Sequence, residues 1–325
     1  MEIVDPRTVL DFQKFTFSGH LRSHVYKVLD ENIRLGHADY ACYWSLELMC
    51  SGLVHSMWQT FFESTARNIN RSAPNAFLYL IRMYEKFAPF EAKYPILQMT
   101  DIRNNDEVRV LICETIAGIT MCRKNKLPPL PKIKPDHDFD QKTVQENLKS
   151  PSSSYVSEIL KKEDPFEVYI ALNELVYCLR PETRDFSRSI YWIAWILKHS
   201  KEYKRRTKLD LDYASRSNPY VDDKYSKSVI WILWDIVHNA ATKSNQSFTL
   251  TPYIDALYKM HCLRWAPGLL KQRIVFLTTA CMFICESTSL DIQYPCPPDS
   301  RKVTELVENI PQWIGAILRT KQTFS

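Results

Sequence analysis

The sequence predicts an all-α fold, an irregular multi-helix array with solenoid-like features. Only six glycines occur beside eighteen prolines in the 325 residues, and this scarcity disfavours the glycine-rich turns of β-rich and dinucleotide-binding folds. Hydrophobic residues make up 45% and aromatic residues 12% of the chain, enough to build a buried core. In several long segments the apolar residues recur every three or four positions, which is the period of an α-helix.

The first part of the chain, residues 1–126, reads as a succession of helices. Residues 40–69, "YACYWSLELMCSGLVHSMWQTFFESTARNI", form an apolar stripe in which Gly52 is a break or a point of close packing. The next helix is expected to begin near Pro74, since proline is favoured in a first turn. A third helix is expected to follow Asn105, which precedes two acidic residues and is a favoured capping residue.

A proline-rich segment then divides the chain. Residues 127–140, "LPPLPKIKPDHDFD", contain four prolines, which exclude a continuous helix and favour an extended connector. The chain after it, residues 154–293, again contains several segments with a helical pattern. The predicted organisation is an N-terminal helical domain 1–126, a Pro/Ser-rich connector 127–153, a C-terminal helical domain 154–293 and a tail 294–325 with a terminal helix.

The C-terminal domain contains an internal duplication. Residues 187–199, "SRSIYWIAWILKH", return 39 residues later at 226–238 as "SKSVIWILWDIVH". On a helix the shared serine, two tryptophans and histidine project within about 80° of one another, as one stripe. We call each copy a Trp motif, and its aromatic members are Trp192, Trp195 and His199 in the first and Trp231, Trp234 and His238 in the second.

Two interpretations of the Trp motifs compete. In a chemical site, the histidines would be ligands or a catalytic base and the tryptophans would wall a cofactor. In a packing unit, tryptophan fills the space where helices cross, and histidine near a helix C-terminus interacts with the last carbonyls. The sequence favours packing, because a catalytic histidine needs a partner and Asp235 of the second copy has Ile196 as its counterpart in the first.

Charge allows only a local basic function. There are 42 Lys and Arg against 37 Asp and Glu, a net charge of +5, which is too small a surplus to indicate a nucleic-acid protein by itself. The longest basic run, 198–208, is followed directly by the acidic "LDLDY", so it is either a solvated helix end or an anion contact. The residues of that candidate contact, here the basic cluster, are Lys201, Lys204, Arg205, Arg206 and Lys208.

The cysteines predict free thiols. Nine are scattered in apolar surroundings without a CxxC motif, and the start of the chain does not resemble a signal peptide, a pattern typical of a reducing compartment. His261, Cys262, Cys281 and Cys285 permit a metal site to be drawn, but they lack a paired short-spaced ligand motif. We therefore expect neither a metal nor another cofactor.

Two further patterns bear on the class of protein. The most apolar run, 274–285, contains twelve residues, too few to cross a bilayer as a helix, so we expect a buried core helix and no membrane span. Phosphate-loop, serine-hydrolase, zinc-protease and kinase motifs do not occur in the sequence. These patterns favour a protein that is not an enzyme.

Aromatic helix cores follow one another along the chain as "YACYWSLELMCSG", "IRNNDEVRVLICE", "DPFEVYIALNELVYCLR", "SIYWIAWIL" and "SVIWILWDIV". Over roughly residues 12–290 this series resembles a conserved, uncharacterised protein family of nucleocytoplasmic large DNA viruses. It implies one of two functions. The first is a virion structural or scaffold protein, such as a minor capsid component, that binds capsid proteins or copies of itself. The second is an accessory protein of viral replication or transcription that binds nucleic acid or a polymerase subunit.

The near-neutral charge and the proline-rich segments favour the structural function, whereas the basic cluster favours the replication function. For the structural function we expect the protein in the virion, and in the host cytoplasm during assembly. Its partners would then be other proteins, with weak binding of nucleic acid at most.

Overall fold

The computed structural model describes residues 2–286 and 295–324, with the backbone alone for 322–324. The all-α prediction is confirmed: the described residues form helices, and their one β-type pairing is an isolated bridge between Phe15 and Leu21. The α-helices are α1 Arg22–Leu35, α2 Ala38–Cys50, α3 Val54–Asn68, α4 Asn75–Lys93, α5 Asp106–Thr120, α6 Pro135–Asp138, α7 Gln141–Asn147, α8 Tyr169–Leu179, α9 Phe186–Thr207, α10 Val229–Thr242, α11 Ser247–Cys262, α12 Leu270–Cys285, α13 Ser300–Val307 and α14 Ile310–Phe324. Short 3-10 helices span Val9–Phe12, Asn70–Ser72, Ile96–Asn104, Phe166–Val168, Asp223–Tyr225 and Pro267–Leu269.

The chain divides into two compact units, one of Met1–Leu127 with Gln293–Ser325 and one of Pro128–Ile292. In the first unit α2 and α5 pack against each other, and α1, α3 and α14 also pack on α2. Both central helices are buried over most of their length. This burial explains why their sequences are apolar on nearly every face.

Local signals set the ends of the helices in the first unit. Gly52 ends α2 with a φ of +68°, and a Cβ atom there would lie 3.0 Å from the backbone nitrogen of Thr100. The position therefore needs glycine both for its backbone conformation and for close packing. Asn105 precedes α5, and its side chain accepts a hydrogen bond of 3.1 Å from the Val108 N–H, the usual role of an N-cap.

The C-terminal helices belong to the first unit, which corrects the expectation of a separate tail over 294–325. Lys321 Nζ donates to the Asp5 carboxylate at 2.6 Å, and Ser18 Oγ donates to the Ile317 carbonyl at 3.1 Å. Burial opposes ionisation of Asp5, but hydrogen bonds from Arg7 and Lys321 hold its pKa well below the usual range. The N-terminal segment and α14 are thus joined by a partly buried ion pair.

In the second unit α12 packs against α8, α9, α10 and α11. Every residue from Val275 to Cys285 is buried. The helical stretch Pro267–Cys285 is longer than the twelve-residue apolar run. By length and composition it could cross a membrane, but 67% of its most apolar part is buried inside the protein. A helix in the core of a protein can have the same length and composition. The solenoid-like character is not confirmed. Repeats of a solenoid contact only their neighbours, whereas α12 packs against all of α8, α9, α10 and α11.

The connector predicted over 127–153 also needs correction, because the second unit begins at Pro128 and includes α6 and α7. Phe139 follows α6, and its ring lies 5.0 Å from the Trp195 ring. Trp195 Nε1 donates a hydrogen bond of 2.9 Å to the Asp138 carbonyl. A single aromatic residue within a polar segment thus fixes that segment to the first Trp motif.

Candidate functional site

The first Trp motif lies on α9 and is used for packing contacts. Trp192 and Trp195 are 1% and 7% exposed. The His199 ring stacks on Trp195 with centroids 4.9 Å apart and an interplanar angle of 8°. Burial, and then the nearby positive charge of Arg206, lowers the pKa of His199. A neutral imidazole stacked on indole is therefore the form at neutral pH.

The second Trp motif lies on α10. Trp231 and Trp234 are 2% and 1% exposed, and the His238 ring lies 5.8 Å from Trp234. Tyr258 of α11 meets the edge of the same histidine at 4.9 Å. Burial lowers the pKa of His238, although the carboxylate of Asp255 opposes this shift. A ring contact between tryptophan and histidine thus occurs in both copies, stacked in the first and tilted by 39° in the second.

A third histidine, His261 of α11, joins the second motif, and the sequence singled it out only as a potential metal ligand. Its ring lies 5.4 Å from Trp234, 5.9 Å from Trp231 and 4.9 Å from Trp265, on which it stacks. Burial, and then the charge of Arg273, lowers the pKa of His261 to about 3. No local pattern in the sequence indicates this contact, because Trp265 lies beyond the end of α11. Within 2–286 and 295–324, no three His, Cys, Asp or Glu side chains form a metal-ligand group.

Ion pairs within the second unit use part of the basic cluster. Lys204 Nζ lies 2.9 Å from the Asp210 carboxylate, and Arg205 Nε lies 2.6 Å from that of Glu202. In the described part of the chain, no ion pair is formed by the remaining members, Lys201, Arg206 and Lys208. The cluster therefore has fewer cations available for an outside anion than its sequence suggests.

A cavity of about 590 Å³ lies between the end of α9 and the start of α10. Lys227 pairs with Asp212 at 2.9 Å on its wall, and Ser200 and Tyr213 share a hydrogen bond of 2.9 Å. Burial raises the pKa of Tyr213 far above neutrality, so its hydroxyl stays protonated. The full lining is Ser200, Lys204, Leu209, Asp210, Leu211, Asp212, Tyr213, Lys224, Tyr225, Lys227, Ser228, Val229 and Pro267. Its volume suits a small ligand, but its charges largely cancel.

An exposed aromatic surface lies at the start of α8, and we call Phe166, Tyr169 and Ile170 the Phe166 ridge. Phe166 is 80% and Ile170 50% exposed. The Phe166 ring stacks on Tyr169 with centroids 5.6 Å apart. The Tyr169 hydroxyl donates a hydrogen bond of 2.6 Å to the Ser153 carbonyl. The ridge is thus exposed to solvent while its aromatic rings are held in place.

A buried ion pair fixes the backbone immediately before the ridge. Arg216 donates to both carboxylate oxygens of Asp164, at 2.8 and 2.7 Å, and to Asp235 at 2.5 Å. The side chains of Arg216 and Asp164 are 5% and 1% exposed. Burial opposes ionisation of Asp164, but the Arg216 hydrogen bonds lower its pKa. Sequence reasoning missed this pair because its members are 52 residues apart.

Together these features define an all-α protein of two helical units with an exposed aromatic ridge on one of them. Comparison of the chain with protein-family models, curated proteins and solved structures gave no match.

Proposed function

We propose that the protein is a non-enzymatic structural or scaffold component, a minor capsid or other virion protein of a large DNA virus, and that it binds other capsid proteins through the Phe166 ridge. The observation that supports this proposal most directly is the 80% exposure of Phe166, whose ring stacks on Tyr169, itself held by a hydrogen bond to the Ser153 carbonyl. Large aromatic side chains dominate the energetics of protein interfaces.

Preorganisation strengthens the case for the ridge as a contact surface. Side chains that become ordered only on association reduce the binding affinity, because their conformational entropy is lost. The bidentate contact of Arg216 with Asp164 fixes the chain just before Phe166, and the Ser153 carbonyl holds Tyr169. The ridge therefore offers aromatic area at a low entropic cost. Phe166, in the 3-10 helix, and Ile170, in the first turn of α8, are both exposed and only four positions apart.

The resemblance to proteins of large DNA viruses supports the virion as the place of action. Quantitative mass spectrometry of particles, purified by density gradient after protease treatment of their outer surface, tests this directly. We expect a fixed copy number relative to the major capsid protein from one preparation to the next. Loss of the protein during purification would contradict the virion assignment.

Substitutions in the ridge test the contact itself. The double variant Phe166→Ser with Ile170→Ser should weaken binding to purified major capsid protein by at least about tenfold, the loss expected of a hot spot. Phe248→Ser is the matched control, since Phe248 is 96% exposed on α11 of the same unit. Unchanged thermal midpoints would show that the variants fold. Equal losses from both, or no loss from the double variant, would contradict this role of the ridge.

A second candidate function is an accessory role in viral replication or transcription, with the protein binding nucleic acid or a polymerase subunit. The three members of the basic cluster outside ion pairs, Lys201, Arg206 and Lys208, favour it. For three phosphate contacts the slope of log K against log salt is about −2.7, so affinity for DNA falls about 40-fold between 50 and 200 mM salt. For all five members the slope is about −4.5 and the fall is about 500-fold.

We expect the smaller slope and weak binding that is lost near physiological salt. Charge reversal of Lys201 and Lys208 should abolish the binding, whereas Lys162→Glu, at an exposed lysine of the same unit, should not. Submicromolar affinity at physiological salt that depends on the cluster would favour the replication function over the structural one.

A further inference from the structure

Two cysteines that are distant in the sequence meet in the first unit. Cys122 lies two residues after α5, and Cys296 lies four residues before α13. Their sulfur atoms are 3.6 Å apart although 174 residues separate them along the chain. Helix α13 packs on α5, so the contact is part of the docking of the C-terminal helices.

The surroundings of the two sulfurs differ. Cys122 is 5% exposed, and Cys296 is partly exposed. The Lys124 ammonium donates hydrogen bonds to the Thr120 and Cys122 carbonyls, at 2.6 and 2.7 Å. The hydrogen bond between the two thiols, in which either sulfur can donate, lowers the pKa of Cys122 against the effect of burial. The same hydrogen bond and burial raise the pKa of Cys296. The charge of Lys124 favours the thiolate form of both cysteines.

We propose that Cys122 and Cys296 are a redox modification site, at which a peroxide converts the two thiols into a disulfide that fastens the C-terminal helices to α5. A disulfide has an S–S distance of about 2.05 Å, so the two sulfurs have to approach by about 1.5 Å. The partial exposure of Cys296 on a segment between helices allows this movement. The closed loop contains the whole second unit.

The reaction balances with peroxide as the oxidant. The thiolate of one cysteine of the pair attacks one peroxide oxygen, the O–O bond breaks, and the departing hydroxide takes up a proton to become water. The sulfenic acid that forms is then attacked by the sulfur of the other cysteine, which loses its proton. The S–O bond breaks and a second water leaves. In sum, two thiols and hydrogen peroxide give one disulfide and two waters.

The same unit contains a matched pair for comparison. Cys42 Sγ donates to the Cys113 carbonyl at 3.6 Å, and both residues are 0% exposed. Burial raises the pKa of Cys113, and neither sulfur of this pair is accessible to an oxidant. Oxidation of a cysteine requires that access. Comparing the two pairs therefore shows whether accessibility to the oxidant, rather than closeness of two cysteines alone, decides which pair is oxidised.

The experiment treats the folded full-length protein with hydrogen peroxide and then alkylates the remaining thiols in denaturant. We expect seven of the nine cysteines to be alkylated. The intact mass before alkylation should be lower by about 2 Da, the two hydrogens lost on disulfide formation. A proteolytic digest should yield one peptide pair joined through Cys122 and Cys296, and dithiothreitol should reverse each change. The thermal midpoint should rise on oxidation and return on reduction.

Variants complete the test. Cys296→Ala, at a partly exposed position, should abolish the disulfide, and Cys42→Ser should leave it unchanged. Cys122→Ser should behave as Cys296→Ala does. Nine alkylated cysteines after peroxide treatment, a disulfide between other residues, or persistence of the disulfide signature in Cys296→Ala would overturn the proposal.

Discussion

Replacing His261 by glutamine should remove a loss of stability that the parent protein undergoes as the pH falls from 7.5 to 5. His261 is 0% exposed, its Nδ1 lies 3.2 Å from the Arg273 carbonyl, and Arg273 Nη1 donates to the His261 carbonyl at 2.7 Å. The rings of Trp231, Trp234 and Trp265 surround it. This environment disfavours the imidazolium, because it offers little solvation and places a guanidinium nearby.

The size of the effect follows from the pKa of His261, which burial and Arg273 lower to about 3, compared with about 6.5 in an unfolded chain. Between these two values the unfolded chain binds the additional proton, so the free energy of unfolding falls as the pH falls. At pH 5, which is about 1.5 units below the pKa in the unfolded chain, the free energy of unfolding is lower by about 1.4 kcal/mol per unit, or about 2 kcal/mol in total. Near pH 7.5 the loss is close to zero. Lowered pKa values of His199 and His238 act in the same direction.

Urea unfolding followed by tryptophan fluorescence at pH 5, 6 and 7.5 measures this loss. The difference between the parent and His261→Gln in their pH dependence is the relevant quantity, because the substitution also changes stability at every pH. His137→Gln is the control, since the His137 side chain is 72% exposed. Parallel pH profiles for the parent and His261→Gln would refute the assignment of a buried neutral imidazole.

Two further substitutions probe packing and the buried ion pair. Trp234→Ala should lower the free energy of unfolding in urea by about 3–5 kcal/mol because it leaves a cavity. His238→Gln should lower it far less. Loss of a bound metal in His238→Gln would instead show that His238 is a metal ligand. Arg216→Leu should cost about 3–5 kcal/mol, because it leaves the Asp164 carboxylate buried without its charge partner. Adding Asp164→Leu should recover much of that loss, and no recovery would contradict this explanation.

The fold class and the local ends of helices were accessible from the sequence because both depend on nearby residues. Gly52 could be identified since a lone glycine between two apolar runs signals a break. Asn105 could be identified since an N-cap acts on amides two or three residues ahead. The placement of Phe139 was missed, because its polar, proline-containing neighbours hide a single aromatic contact to Trp195.

Contacts between distant residues were not accessible from periodicity. The pairing of Asp5 with Lys321, of Asp164 with Arg216 and of the two sulfurs at 122 and 296 spans 52 to 316 positions. A hydrophobic repeat states which face of a helix is buried but not which helix covers it. Two of these pairs, Asp5 with Lys321 and Cys122 with Cys296, changed the predicted organisation most, because they join the expected tail to the first unit.

The duplication is better explained by the ring contact of a tryptophan with a histidine than by a repeated environment. Ser189 lies inside α9 and donates to the Phe186 carbonyl at 2.7 Å, whereas Ser228 precedes α10 as its N-cap. The histidine ring then contacts Phe139 in the first copy and Tyr258 in the second. A chemical site used twice would require equivalent partners around each histidine, and these neighbours differ in identity and origin. What the copies share is a tryptophan whose ring contacts that of a histidine one helical turn later. This contact fills the space where two helices pack against each other.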